Sequence, residues 1–200
     1  MAAVDGLTDD QARQPSLLPD WSVGHVLTHL ARNADSHVRV LRAAEQGEIV
    51  TQYERGADGR RADIEAGAAR SGATLVADVR DSIARLEETW SRTTDRGWQG
   101  RALMSAGERP TSALPYARWV ETEVHHVDLG PAGGGYTFAD LPSEFVGLEL
   151  RRMSAMWASR QPMGLTSLPA PALELAPHER LAWLLGRLEI DGLAPAGLFG

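Results

Sequence analysis

Two hundred residues with a 43% apolar fraction can bury a core of ordinary size, so the chain needs no disulfides or structural metal to fold. A formal net charge of −7 offers no basic field for a polyanion, which argues against a nucleic-acid partner. There are no cysteines, which excludes thiolate metal sites and a protein thiol nucleophile; a thiol in any reaction must arrive as a separate molecule.

Thr8 to Gln11 has the spacing of a capping box and opens a short helix, which Pro15 and Pro19 end. Ser22 is a suitable N-cap for the next helix. From there Val23, Val26, Leu27, Leu30, Ala34, Val38 and Leu41 keep helical spacing, a core-facing stripe that ends near Gly47. His25, His29, Arg32 and Ser36 run beside it. The polar stretch 51–61, with Gly56 and Gly59, reads as a loop. A third helix is expected from about Arg61 to Trp90, with Val76, Val79, Ile83, Leu86 and Trp90 inward and a break or kink near Gly67 and Gly72. Between Thr93 and Pro115, glycines and prolines predict an irregular connection anchored by Trp98.

A fourth helix is expected from Tyr116 to about Leu129, with Tyr116, Val120, Val124 and Val127 inward and Gly130-Pro131 as its end. The glycine-rich turn that follows lacks the lysine and spacing of a phosphate loop. Ser143 to Ser159 reads as a fifth helix, with Val146, Leu150, Met153 and Trp157 inward. Beyond it, 161–176 carries short apolar runs, such as Ala172-Leu-Glu-Leu175, that read as strands. Pro177 starts a last helix, with Leu181, Leu184, Leu185 and Leu188 buried and Gly192 as its end. The expected organisation is mainly α, with residues 1–159 as one domain and 160–200 as a short α/β extension. No basic segment followed by an apolar run opens the chain, and no apolar run reaches the roughly 18 residues of a membrane span, so a cytoplasmic protein is expected.

Chemistry-bearing side chains concentrate in two of these helices. Glu121 and His125 lie four apart, one turn on the same face, with Asp128 three residues further. His25 and His29 form a second pair at the same spacing. Each pair alone has an ordinary reading: a solvated helix pair, or one exposed histidine and one hydrogen-bonded at the core edge. Joined, the two helices offer His29, Glu121 and His125, two imidazoles and a carboxylate, which suits zinc with a fourth position left open for catalysis. Asp128, Asn33 and His126 are candidates to orient those ligands. No Gly-x-Ser-x-Gly elbow and no His-Glu-x-x-His pair is present.

The stretch Leu18-Pro-Asp-Trp-Ser-Val-Gly-His-Val-Leu-Thr-His-Leu-Ala-Arg-Asn33 resembles the opening motif of the mycothiol-dependent maleylpyruvate isomerases, members of the DinB-like metal-binding helical bundles. Arg118 to Gly130 resembles their second motif, and Asp63-Ile-Glu-Ala-Gly67, Leu75-Val-Ala-Asp-Val79 and Leu181-Ala-Trp-Leu-Leu-Gly-Arg187 are also similar. Asp20 stands where a glycine is usual, and Val120 where an arginine is common. The resemblance implies a DinB-like four-helix bundle with a short α/β C-terminal extension. It implies zinc held by His29, Glu121 and His125, not by His25, and it makes Arg187 a candidate for a substrate or thiol carboxylate. The implied reaction is the cis-to-trans isomerisation of maleylpyruvate to fumarylpyruvate, with mycothiol as cosubstrate. A mycothiol S-transferase, or a metal-binding bundle without catalysis, is the alternative. The implied partners are thus small molecules, with no nucleic acid and no membrane.

Overall fold

The computed structural model describes residues 4–105, 107–162 and 167–198. The chain divides into two compact units, Met1–Tyr136 and Thr137–Gly200.

The first unit is organised on one long helix. In chain order it contains α1 (Asp9–Arg13), α2 (Val23–Glu45), α3 (Gly56–Ala68), α4 (Gly72–Arg92), α5 (Asp95–Trp98), strands β1 (Arg101–Met104) and β2 (Gly107–Pro110), and α6 (Leu114–Asp128). Helix α2 packs against α1, α3, α4, α5 and α6. Its whole expected stripe, from Val23 through Leu27 and Ala34 to Leu41, is buried. Val26, Leu27 and Leu30 meet Leu75, Val76 and Val79 of α4 in one apolar cluster. Among the described residues no helix is long and apolar enough to cross a membrane.

The ends of α2 follow from local chemistry. Ser22 caps it, accepting from the His25 backbone N–H, while the His25 ring Nδ1 accepts from the Ser22 N–H at 3.1 Å. This is a capping box with histidine in place of the usual Glu or Gln. Just before it, Asp20 has φ 63°, the left-handed region that the usual glycine reaches without cost. Aspartate is among the few other residues that tolerate it.

Three segments differ from the sequence expectation. Helix α3 begins at Gly56, inside the stretch expected to be a loop, and ends at Ala68; α4 restarts at Gly72 under a Ser71 cap. The break expected near Gly67 and Gly72 is thus a clean separation into two helices. The connection 93–115 holds α5 and an antiparallel hairpin, with Arg101 opposite Pro110 and Met104 opposite Gly107. Trp98 packs, as expected of an anchor, on the cluster of Val40, Leu41, Ala102 and Leu114. The buried face of α6 includes Arg118 beside Val124 and Val127, whereas Tyr116 and Val120 are only half-buried.

The second unit contains α7 (Ser143–Ser159), α8 (Ala170–Glu174) and α9 (Pro177–Leu184), with α9 packed on α7 and α8. The compact division places α7 in this unit, while the sequence reading had grouped it with residues 1–159. Phe145 and Glu149 of α7 are buried along with Met153 and Trp157, and Leu150 is half-buried. Most of the Ala172–Leu175 run, expected as a strand, is helical. Pro171 explains this: it lacks a ladder donor and suits a first helical turn. Among the described residues of this unit, strand-like pairing is an isolated antiparallel bridge between Ile190 and Leu193. Part of the expected 161–176 stretch, residues 163–166, lies outside the described residues. Helix α9 stops at Leu184, ahead of Gly192, with Gly186 in the left-handed region just after it.

Gly24, in the first motif, sits where α2 crosses α3. A Cβ there would lie 2.2 Å from the Ala68 carbonyl oxygen. Backbone must therefore shift, and Gly24→Ala is expected to cost about 1–3 kcal/mol, read as a lower urea midpoint; an unchanged midpoint contradicts the close approach. His37, two turns along α2 from His29, is buried, and its Nδ1 has no hydrogen-bond partner among the described residues. Burial, reinforced by the Arg118 charge, lowers its pKa from 6.5 to about 4. Between those values the unfolded chain binds a proton that the folded chain refuses. Stability therefore falls on acidification through this window, by up to roughly 3 kcal/mol from this residue. His37→Gln is expected to flatten the decline in urea-unfolding free energy between pH 7 and pH 4; an unaltered slope counts against the assignment.

Candidate metal centre

Helices α2 and α6 cross so that His29, Glu121 and His125 meet. Their candidate ligand atoms all lie within 4.8 Å of one another. One carboxylate oxygen, Glu121 Oε2, is 2.8 Å from His29 Nε2 and 3.4 Å from His125 Nε2. The two imidazole rings are nearly perpendicular, with centroids 4.6 Å apart. The side chains of His29 and His125 are 4% and 14% exposed, and that of Glu121 is 34% exposed, so solvent reaches the cluster past the carboxylate.

Residues of both helices frame these side chains. Behind His125, the fully buried Asp128 carboxylate lies 2.8 Å from Nδ1, which directs Nε2 at Glu121. One turn before Glu121, Arg118 reaches across to α2 and donates to the Leu30 carbonyl and to Asn33 Oδ1, both at 2.8 Å. Trp21 closes another side, with its ring edge-on to His29 at 5.7 Å.

Electrostatics follow the geometry. Burial lowers the His29 pKa and prevails over the hydrogen bond to Glu121 that opposes it. For His125 burial also acts downward, but the hydrogen bonds to Asp128 and Glu121 prevail and raise it. Burial would raise the Glu121 pKa; the hydrogen bonds from His125 and His29 outweigh it and hold the carboxyl well below its usual range. An ionised carboxylate between two imidazoles is the donor set of a divalent cation site. Zinc with such ligands sets its donor atoms roughly 3.3 Å apart, so ligand atoms that already lie within 4.8 Å of one another could converge on one ion with small side-chain shifts.

The other residues singled out from the sequence have distinct places. His25 serves the helix cap, stacks on Trp21 and lies 3.2 Å from Glu65 through Nε2. Asn33 is buried and engages Arg118. His126 stacks on Tyr136 at 4.0 Å, with Nε2 3.1 Å from the Gly133 carbonyl. Arg187, in the second unit, donates to the Leu185 carbonyl. Sequence reasoning missed Arg60, whose NH2 group is 3.0 Å from His29 Nδ1, because its segment read as a loop. It also missed Arg118, whose burial no spacing rule signals.

A family model described as "Mycothiol maleylpyruvate isomerase N-terminal domain" matches residues 1–130. The chain belongs to this family. No curated protein matches it. Among solved structures, the chain is similar to the mycothiol-dependent maleylpyruvate isomerase, with TM-score 0.80 and 23% identity over 93% of this chain and 82% of that one. It is also similar to a mutant form of the mycothiol-dependent maleylpyruvate isomerase, with TM-score 0.72 and 25% identity over 80% of this chain. The chain spans 65% of that second protein's length. These likenesses agree with a mainly α bundle.

Asp128, 2.8 Å from His125 Nδ1, would keep that ring oriented for a cation held at this cluster. Asp128→Ala is expected to weaken zinc affinity about ten- to a hundredfold, measured by competition with a chromophoric chelator. Unchanged affinity removes Asp128 from the site.

Proposed function

We propose that this chain is a zinc-dependent enzyme that uses mycothiol to convert maleylpyruvate to fumarylpyruvate, working in the cytoplasm. The observation that carries the reading is the convergence of His29, Glu121 and His125 from two helices, with Asp128 behind His125. Family membership supports the thiol and the reaction class, and a chain without cysteine must take its sulfur from a cosubstrate.

In this reading His29, Glu121 and His125 hold the metal, and Asp128 fixes the ring of His125. A bound zinc would lower the pKa of the cosubstrate thiol, so that sulfur is presented as thiolate at neutral pH. The exposed side of Glu121 is the side from which cosubstrate and substrate approach. Thiolate adds to the double bond conjugated with the carbonyl, and the π electrons move to the carbonyl oxygen as an enolate. The former double bond is now single and rotates. Collapse of the enolate expels the thiolate and leaves the trans product, with no net change in the thiol. Arg187 is a candidate to bind one carboxylate of the substrate.

Zinc-loaded protein, mycothiol and maleylpyruvate are expected to give fumarylpyruvate, followed by a coupled hydrolase that consumes only the trans isomer. His29→Ala and Glu121→Ala are expected to lose bound zinc and at least about a thousandfold in kcat/KM. Isomerisation absent while a model electrophile becomes conjugated to mycothiol points to the S-transferase. Protein that takes up no stoichiometric zinc, and is indifferent to both substitutions, rules out the catalytic reading.

A further inference from the structure

Arg60, on α3, donates from NH2 to Nδ1 of His29 at 3.0 Å. Its guanidinium also lies over the Tyr53 ring, 5.7 Å from the centroid, and is half-buried. Its neighbours are matched with carboxylates: Arg55 with Asp63, Arg61 with Asp58 and Arg70 with Asp78. Arg60 has no carboxylate partner among the described residues.

Proton counting makes this placement informative. A guanidinium only donates, and a neutral imidazole carries a single proton on one of its two nitrogens. His29 turns Nε2 to Glu121, so Nε2 is the nitrogen that a shared cation would take. Its proton then sits on Nδ1, where it faces the Arg60 N–H. Two donors cannot satisfy each other, so Arg60 requires a different acceptor once His29 ligates. Glu121 is itself committed to the cation, and a half-buried guanidinium without an anion is unfavourable. An anion that enters beside the metal would supply that acceptor.

We propose that Arg60 is a carboxylate-binding residue of this centre, receiving one carboxylate of a dicarboxylate-type substrate beside the metal-bound face of His29. This rests on the zinc reading of the site. It assigns Arg60 a role in substrate binding and not in metal binding. The planar fork suits a carboxylate, and Tyr53 restricts the directions in which the guanidinium moves.

The test uses the full chain loaded with zinc, with maleate as the probe. Zinc affinity is measured by chelator competition and maleate affinity by calorimetry, for the unaltered chain, Arg60→Gln and Arg60→Lys. Arg60→Gln is expected to keep stoichiometric zinc with affinity within about threefold or tighter, since glutamine can accept the Nδ1 proton, while maleate binding weakens about tenfold or more. Arg60→Lys is expected to lose less, because it keeps the charge without the fork. Maleate binding within about twofold of the unaltered chain in Arg60→Gln overturns the proposal. So does a zinc affinity that falls in step with maleate, or an unaltered zinc protein that does not bind maleate. An unaltered chain that takes up no zinc fails at the earlier measurement, and removes the zinc reading together with this one.

Discussion

A buried cation sets α6 against α2. Arg118 places its guanidinium between the helices and gives its hydrogens to the Leu30 carbonyl and to Asn33. Removing a charge from water is expensive, and only close, well-aimed acceptors offset it. Those acceptors exist at one register of α6 along α2. Sliding α6 by a turn would leave the guanidinium without them, and would carry Glu121 and His125 away from His29. The same constraint therefore fixes the helix pair and aligns the three candidate ligands.

Around that crossing the site is assembled in two degrees of rigidity. His29 and His125 are nearly enclosed, one flanked by Trp21 and the other tied to Asp128. Glu121 keeps about a third of its surface open. Enclosure shields the imidazoles and strengthens local electrostatics, while the open side leaves a path to small molecules. Helix α3 contributes from a third direction. Its break from α4 lets Gly56–Ala68 run separately and bring Arg60 to His29. The paired segments around Val50 and Gln52 hold the start of that approach, through backbone bonds to Leu103 of the hairpin.

Legibility in the sequence followed the strength of local patterning. The α2 stripe was read correctly because seven apolar residues at helical spacing have only one way to be buried together. Spacing alone also suggested that Glu121 and His125 share a face. It did not decide between His25 and His29. That choice depends on Ser22 drawing the His25 ring into a cap, a competition between two local hydrogen-bond partners. The 51–61 stretch misled because Gly56 and Gly59 lower helix propensity, yet Gly59 and Ile64 are buried in a helix packed on α2. Tertiary burial outweighed propensity there. The Ala172–Leu175 run, too short for its period to show, turned on Pro171.

By itself, the sequence determined the helices with long apolar stripes, the mainly α character and the identity of the side chains available to a metal. It also settled that this chain has no thiol of its own. Only the tertiary structure decided that His29, Glu121 and His125 meet within a few ångströms, that Asp128 backs His125, and that Arg60 faces the other nitrogen of His29. The reason is physical: spacing along a helix fixes which side chains share a face, but not the rotation or register of one helix on another. Here those are set by a buried arginine and by a close glycine crossing, neither of which has a periodic signature.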